Sequence, residues 1–358
     1  MKHVLITAGG TGGHVFPALA VADELKASGW QVSWLGTADR IEARVVPAAG
    51  YHFIGVAQEG LRGKGLLGWL FAPFRLVRSV FRMRGHLKAL QPDVVLGFGG
   101  YTAGPAGLAA WSKSIPLIIH EQNAVAGLTN RLLARFAGKV LLGFVDAAQQ
   151  LPKSELVGNP VREAISALAA QPVRSPTSPF QVLIVGGSLG AQHLNEVMPE
   201  VVSGWQGPAL AITHQTGAGK QEKVALAYGG RENVTVTEFI DDMAAAYATA
   251  DLVICRAGAL TCSELACAGV ASILVPYPHA VDNHQLMNAK SLSQAGGALV
   301  IEQTNFVTSE VHRVLLNLVT EPKQVEAMAV NARSVAAADA AKRVALICNE
   351  HVAKRGQK

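Results

Sequence analysis

His3-Val4-Leu5-Ile6-Thr7-Ala8 runs into Gly9-Gly10-Thr11-Gly12-Gly13-His14 and then into an apolar-periodic stretch from Phe16 to Leu25. An apolar β-run that enters four glycines within five residues and leaves as a helix presents bare backbone N–H groups, on a positive helix end, to an anion. Phosphate is the expected anion. The spacing fits neither the Gly-x-Gly-x-x-Gly dinucleotide fingerprint nor the P-loop with its Lys-Ser/Thr ending. Alone, such a loop serves equally well for tight strand-to-helix packing. The device recurs at mid-chain, where Gln181 to Val185 enters Gly186-Gly187-Ser188-Leu189-Gly190-Ala191 and then a helical pattern through Val197 and Val201. Two such units at this separation predict two similar α/β domains facing one ligand.

Outward from the first loop, strand-like runs alternate with helical ones: Gln31 to Gly36, His52 to Ala57, Asp93 to Gly99, Pro116 to Gln122 and Lys139 to Phe144. This is the βαβ rhythm of a parallel sheet covered on both faces, which binds ligands beyond the carboxyl ends of its strands. The unusual residues fall at those ends: Gly9 to His14, Phe98 to Pro105 and His120-Glu121-Gln122-Asn123. Glu155 to Arg162 reads as a short strand and turn, and Pro172 to Pro179 as a loop or linker. A domain boundary is expected near 160. Past it, strands restart at Gln181, Ala209, Val234, Asp251, Ala271 and Ala298. Periodicity does not tell which half receives the last helix, from Ala341 to about Val352.

At 358 residues, half of them apolar, the chain is long enough for two full cores. Its four cysteines form no Cys-x-x-Cys pair and it opens directly into a strand, so a reduced, cytoplasmic setting is expected. The net charge of +5 is concentrated. Between Arg62 and Lys88 lie seven basic residues and no acidic one, while elsewhere 24 basic side chains stand against 26 acidic. Nucleic acid is not the expected partner, because it is met by basic residues spread along a broad face. Here Leu66, Trp69, Leu70 and Phe71 in a Gly-rich loop precede a helix that opens at Pro73 and carries Phe74, Val77 and Phe81 on one side and Arg75, Arg78 and Arg82 on another. The run is too short to span a bilayer and suits an anionic membrane surface, each basic residue adding about 1 kcal/mol. A helix packed on its own sheet with solvated arginines is the alternative.

In the second half, Leu252 to Gly258 ends a strand and Ala259-Leu260-Thr261-Cys262-Ser263-Glu264 begins a helix. Glu264 either decorates the helix dipole or accepts both hydroxyls of a ribose. Downstream, Asp282-Asn283-His284-Gln285 offers amides to sugar hydroxyls. Two anion loops, a diol-binding carboxylate and an amide-rich loop suit a nucleotide-sugar enzyme. No Asp-x-Asp pair occurs, since Asp241-Asp242 are adjacent, so no metal or other cofactor is expected. Helix ends, backbone N–H groups and Arg162 are the expected stabilisers of leaving-group charge.

Together, Gly9 to Pro17, Trp34 to Thr37, Gly60 to Lys64, His120 to Asn123, Gly158 to Arg162, Gly186 to Ser188, Arg256 to Glu264 and Asp282 to Gln285 resemble the bacterial MurG family, peptidoglycan N-acetylglucosaminyltransferases of glycosyltransferase family 28. The resemblance runs from the first strand to the final helix. It implies the GT-B architecture, two Rossmann-like domains facing a cleft, with the last helix returning to the first domain, so that the expected domains are 1–160 with 341–358, and 161–340. It implies transfer of N-acetylglucosamine from UDP-GlcNAc to the C4 hydroxyl of lipid I, the undecaprenyl-diphosphate-linked muramoyl pentapeptide, with inversion to a β-1,4 linkage. The enzyme would be peripheral on the cytoplasmic face of the inner membrane, with other wall-synthesis proteins as further partners.

By position, the resemblance gives UDP-GlcNAc contacts to Thr11, Gly12, Gly13, Asn123, Arg162, Ser188, Ile240, Ala259, Leu260, Thr261, Cys262, Ser263, Glu264 and Gln285. Within that set Ile240 meets uracil through its backbone and Glu264 the ribose. Ser188 and the Leu260-Thr261 helix end meet the diphosphate, and Gln285 the GlcNAc hydroxyls. Where the family often carries a second amide, this chain has His284. Gly13, Gly100, Tyr101 and Thr102 are expected at the acceptor diphosphate.

The C4 hydroxyl loses a proton as it attacks, so a general base is expected. His14 is the first candidate, because a positive helix end favours the neutral imidazole. Glu121 is the second, unless it pairs with a local group. The competing readings are a UDP-GlcNAc 2-epimerase, which needs no membrane face, and a non-catalytic nucleotide-sugar-binding membrane adaptor. An oxidoreductase lacks its fingerprint here.

Overall fold

A computed structural model describes residues 1–57, 72–187 and 190–356. The chain divides into two compact units, Met1–Arg162 with Asp339–Lys358, and Glu163–Ala338.

The first unit contains β1 (His3–Thr7), α1 (Gly12–Ala27), β2 (Gln31–Thr37), α2 (Glu42–Ala48), β3 (His52–Val56), α3 (Ala72–Leu90), β4 (Val94–Gly97), α4 (Ala103–Ser112), β5 (Leu117–Glu121), α5 (Leu128–Leu133), β6 (Lys139–Leu142) and β7 (Glu155–Leu156). The sheet order is β3-β2-β1-β4-β5-β6-β7, and every pairing is parallel. Val4, Leu5 and Ile6 are all fully buried, as a strand covered on both faces requires. The strand expected from Asp93 to Gly99 stops at Gly97, because Gly99 and Gly100 turn the chain at φ +93° and +87°.

The second unit contains β8 (Phe180–Val185), α6 (Gln192–Ser203), β9 (Leu210–Gln215), α7 (Gln221–Ala227), β10 (Val234–Thr237), α8 (Met243–Thr249), β11 (Leu252–Cys255), α9 (Ala259–Ala268), β12 (Ala271–Leu274), α10 (His284–Gln294), β13 (Ala298–Val300), α11 (Thr308–Thr320) and α12 (Pro322–Ser334). Its parallel sheet runs β10-β9-β8-β11-β12-β13. Strand order therefore reverses between β1 and β4 in one unit and between β8 and β11 in the other. Open α/β sheets bind ligands at such switch points. The glycine loops after β1, β4 and β8 and the Arg256–Gly258 turn after β11 all stand there.

The last helix, α13 (Ala340–Gly356), packs on α1 of the first unit. Val344 and Cys348 are fully buried in the same core as Val15 and Ala18. Asn349 Oδ1 accepts from Trp30 Nε1 at 2.9 Å and from Lys2 Nζ at 3.2 Å, which pins the end of the chain to its beginning.

Candidate active site

In the first unit, Thr11 caps α1 in extended conformation, so Gly12 and Gly13 stand in the first helical turn. The Gly12 and Gly13 N–H groups precede the first intrahelical bonds, which run from His14 N and Val15 N to Thr11 O. His14 is half-buried, and its Nδ1 lies 3.3 Å from Thr11 Oγ1. With Nδ1–H donating to that hydroxyl, Nε2 carries the lone pair. The Nε2 edge faces the second glycine loop, where a Cβ added at Gly99 would lie 3.3 Å from it. A Cβ at Gly100 would meet Gly9 O at 2.5 Å, so the two loops press backbone on backbone. His14 is thus held between the glycine loops that follow β1 and β4.

Beneath the first loop sits a residue that periodicity did not single out. Glu42, at the start of α2 and fully buried, accepts from Thr37 N at 2.9 Å and from Gly10 N at 3.1 Å. A Cβ at Gly9 would strike its carboxylate. The one available signal was an acidic residue opening a short helix two turns after β2.

The His120 to Asn123 motif is structural around its polar atoms. His120 is fully buried and stacks on Phe98 with ring centroids 5.4 Å apart. Its Nε2–H donates to Gly158 O at 2.9 Å, and Nδ1 accepts from Gln122 Nε2 at 3.1 Å. Burial lowers its pKa to about 4, so the ring is neutral. Asn159 Nδ2 donates to Gln122 O at 3.0 Å. That bond ties the Gly158 to Arg162 turn to this motif, and the turn presents the Arg162 guanidinium over the Phe16 ring at 5.5 Å.

Glu121 does not fit the role of base. Its Oε1 accepts from Asn123 N and Nδ2 at 3.0 and 3.2 Å, and its Oε2 from Gly127 N and Asn130 Nδ2 at 3.0 and 2.9 Å. Four donors on a carboxylate 2% exposed make it the brace of the loop from 121 to 130. Thr102 is corrected likewise: it is fully buried and its hydroxyl meets Thr7 Oγ1 at 3.3 Å, under the loop rather than on it. Tyr101 is 46% exposed and remains a surface residue of that loop.

In the second unit, Gly187 N donates to Gln215 Oε1 at 2.9 Å, and Gln215 Nε2 donates to Gly187 O at 3.1 Å and to Glu238 O at 2.7 Å. Gln215 is the buried clamp of the glycine loop after β8, another residue the sequence reading missed. Ser188 lies outside the described residues. Helix α9 opens after Gly258, so Ala259, Leu260 and Thr261 carry its unused N–H groups. Cys262 and Ser263 do not extend that set. Cys262 N already donates to Gly258 O at 2.9 Å, and its thiol is buried and pushed up to about 12. Ser263 Oγ donates back to Ala259 O at 3.0 Å.

Glu264 is 6% exposed, and Oε2 accepts from Tyr247 OH at 3.1 Å, a contact that orients the carboxylate. Arg256 is spent on architecture: it donates to Val275 O at 3.1 Å and to Gln303 Oε1 at 2.6 Å. The strand end it fixes leads to Tyr277, whose N–H donates to Gln285 Oε1 at 2.8 Å and so turns the Gln285 amide nitrogen outward. Asp282 and Asn283 both take positive φ, 51° and 56°, to bring His284 and Gln285 into the start of α10. Ile240 is half-buried in the loop after β10.

The basic amphipathic stretch is partly visible. Leu66, Trp69, Leu70 and Phe71 lie outside the described residues. Helix α3 is three-sided: Val80, Met83, Leu87 and Leu90 face the core, Phe74, Val77 and Phe81 point out at 74%, 54% and 67% exposure, and Arg75, Arg78 and Arg82 edge a cavity beside α4 and α5. No helix among the described residues is long and apolar enough to cross a membrane.

The Glycosyltransferase family 28 N-terminal domain matches residues 4–142 and the corresponding C-terminal domain residues 181–344. A relative from Aeromonas hydrophila subsp. hydrophila, "UDP-N-acetylglucosamine--N-acetylmuramyl-(pentapeptide) pyrophosphoryl-undecaprenol N-acetylglucosamine transferase", is 52% identical over 349 residues, 97% of this chain and 96% of that protein. The crystal structure of Acinetobacter baumannii MurG matches with a TM-score of 0.81 at 40% identity, covering 98% of this chain and 100% of that one. A UDP-GlcNAc 2-epimerase from Neisseria meningitidis reaches 0.66 over 97% and 100% of the two chains at only 14% identity, which shows a shared fold alone. Full-length identity with a transferase, matched by both halves of its domain pair, makes this chain a member of the MurG family within glycosyltransferase family 28, with its GT-B fold.

Proposed function

We propose that the chain transfers N-acetylglucosamine from UDP-GlcNAc to the C4 hydroxyl of undecaprenyl-diphospho-N-acetylmuramoyl-pentapeptide, inverting the anomeric centre to give a β-1,4 linkage. The observation that carries the catalytic part is His14, fixed by Thr11 at the start of α1 and turned towards Gly99. His14 Nε2 takes the proton of the C4 hydroxyl as its oxygen attacks the anomeric carbon. The bond from that carbon to the UDP oxygen breaks, and the electron pair leaves on the diphosphate. Preorganised N–H groups in the first turn of α9 receive that charge without reorganising, which is where such dipoles contribute most. Glu264 accepts the ribose hydroxyls, Ile240 meets uracil, and Gln285 donates its amide to the sugar. The first unit binds and activates the acceptor, and the second binds the donor.

The acceptor is a membrane lipid, so the protein works as a peripheral enzyme on the cytoplasmic face of the inner membrane. The outward stripe of Phe74, Val77 and Phe81, flanked by arginines, supports that placement.

The test is UDP release from UDP-GlcNAc with and without a short-chain lipid I analogue, each repeated in EDTA. Release that needs the analogue and survives EDTA is expected. Release without acceptor overturns the reading in favour of epimerase or hydrolase chemistry, and binding without any release favours an adaptor.

A further inference from the structure

Beside the second glycine loop, between α3, α4 and α5, lies an open cavity of about 450 Å³. Leu76, Leu108, Leu128, Leu132 and Leu133 form its walls. Leu128 and Leu132 are 61% and 52% exposed, more apolar surface than a six-residue helix shows when its leucines serve only its own core. Arg75, Arg78 and Arg82 stand at its rim, and no acidic residue lines it among the described residues. Tyr101 and Gly104 belong both to this wall and to the segment after β4 whose Gly99 faces His14.

The cavity therefore joins an arginine rim to an aliphatic trough, and shares Tyr101 and Gly104 with the segment after β4. We propose that it holds the first isoprene units of the acceptor's polyprenyl chain, with the attached diphosphate at the glycine loop and the arginine rim. This rests on the transferase reading above. The trough is concave and leucine-lined, which suits a branched aliphatic chain, whereas a bilayer surface meets a convex face such as the Phe74, Val77 and Phe81 stripe on another side of the same helix. The acceptor's peptide, rich in amides and carboxylates, would leave its polar groups unmatched against leucine walls.

The experiment uses two acceptors identical in sugar, peptide and diphosphate, one with a methyl group and one with a thirty-five-carbon prenyl chain, both dispersed in detergent. Leu132→Trp fills the trough from its exposed side, and Leu128→Ala with Leu132→Ala removes one wall. Both changes fall on exposed side chains, so folding is retained. For each variant kcat/KM for the long acceptor is expected to fall about tenfold, the equivalent of roughly two buried methylenes. With the short acceptor the change stays within about twofold, because it carries no chain to enter the trough, and the KM for UDP-GlcNAc and sedimentation with anionic vesicles stay unchanged. Equal loss with both acceptors, no loss with either, or a loss that tracks vesicle binding overturns the proposal. A wild-type protein that glycosylates neither acceptor removes the transferase reading itself, and the proposal with it.

Discussion

Each unit braces its glycine loop from beneath with one buried side chain, and the two braces differ in charge. Under the first loop the Glu42 carboxylate accepts from Gly10 N and Thr37 N and donates nothing. Under the second, the Gln215 amide accepts from Gly187 N and donates to two carbonyls. A carboxylate holds backbone N–H groups more firmly than an amide does, by charge-assisted bonds, but it places a negative charge under a loop that is to receive an anion. The first loop therefore gives up Gly10 N to the brace and keeps its anion-facing N–H groups one turn further on, at Gly12 and Gly13. The second loop has a neutral floor, suited to a diphosphate close above it.

The comparison is tested most severely at the one chemically active residue it frames. His14→Ala is expected to lower kcat by at least ~10²-fold, the low end for general acid–base catalysis, while UDP-GlcNAc binding measured by titration calorimetry stays near wild type. Near-normal kcat would remove His14 from the mechanism. Exchanging the braces comes next. Gln215→Glu faces two carbonyls with a group that cannot donate to them, and should weaken UDP-GlcNAc binding roughly 10- to 100-fold, as about 1–3 kcal/mol for unsatisfied buried partners implies. Glu42→Gln turns an NH₂ onto a backbone donor, and should lower kcat by a similar factor with the UDP-GlcNAc Kd unchanged. If both exchanges weaken the donor equally, the division of labour between the loops is wrong.

Smaller effects sharpen the picture. Tyr247→Phe removes the hydroxyl that orients Glu264 and should raise the UDP-GlcNAc Kd about five- to tenfold, near 1 kcal/mol for one neutral donor to a carboxylate. Each unit also buries a neutral histidine, His120 in one and His214 in the other, and burial lowers both pKa values to about 4. Unfolded, each titrates near 6.5, so between pH 6.5 and pH 4 the unfolded chain binds protons that the folded chain refuses. Stability is thus complete above pH 6.5 and declines as pH falls, by about 1 kcal/mol per histidine at pH 5.5. Denaturant midpoints of His120→Gln and His214→Gln across that range should be flatter than those of the wild type.

The strands and glycine loops were legible because each is written locally, in alternation and in φ-permissive glycines. The braces were not. Glu42 touches Gly10 across 32 positions and Gln215 touches Gly187 across 28, and no periodicity records a partner at that distance. Position alone does not tell which atoms of a loop or helix start face outward. Thr102, Cys262 and Ser263 sit among contact residues in sequence, yet the turn of the backbone aims one hydroxyl under its loop, buries the thiol and bonds the other hydroxyl to its own helix. His14 was readable because its helix start, its glycines and its chemistry coincide within four residues.

The pinning of Asn349 to Trp30 and Lys2 bears on how the molecule is made. The first unit is written in two pieces, with the whole second unit between them. As the chain leaves the ribosome, the outer side of α1 waits bare while Glu163–Ala338 is synthesised and folds, and it is covered only when Val344, Ile347 and Cys348 arrive. A chain ending at residue 338 would therefore carry a complete second unit and a first one whose α1 is uncovered. Chaperone demand should peak in that interval of synthesis.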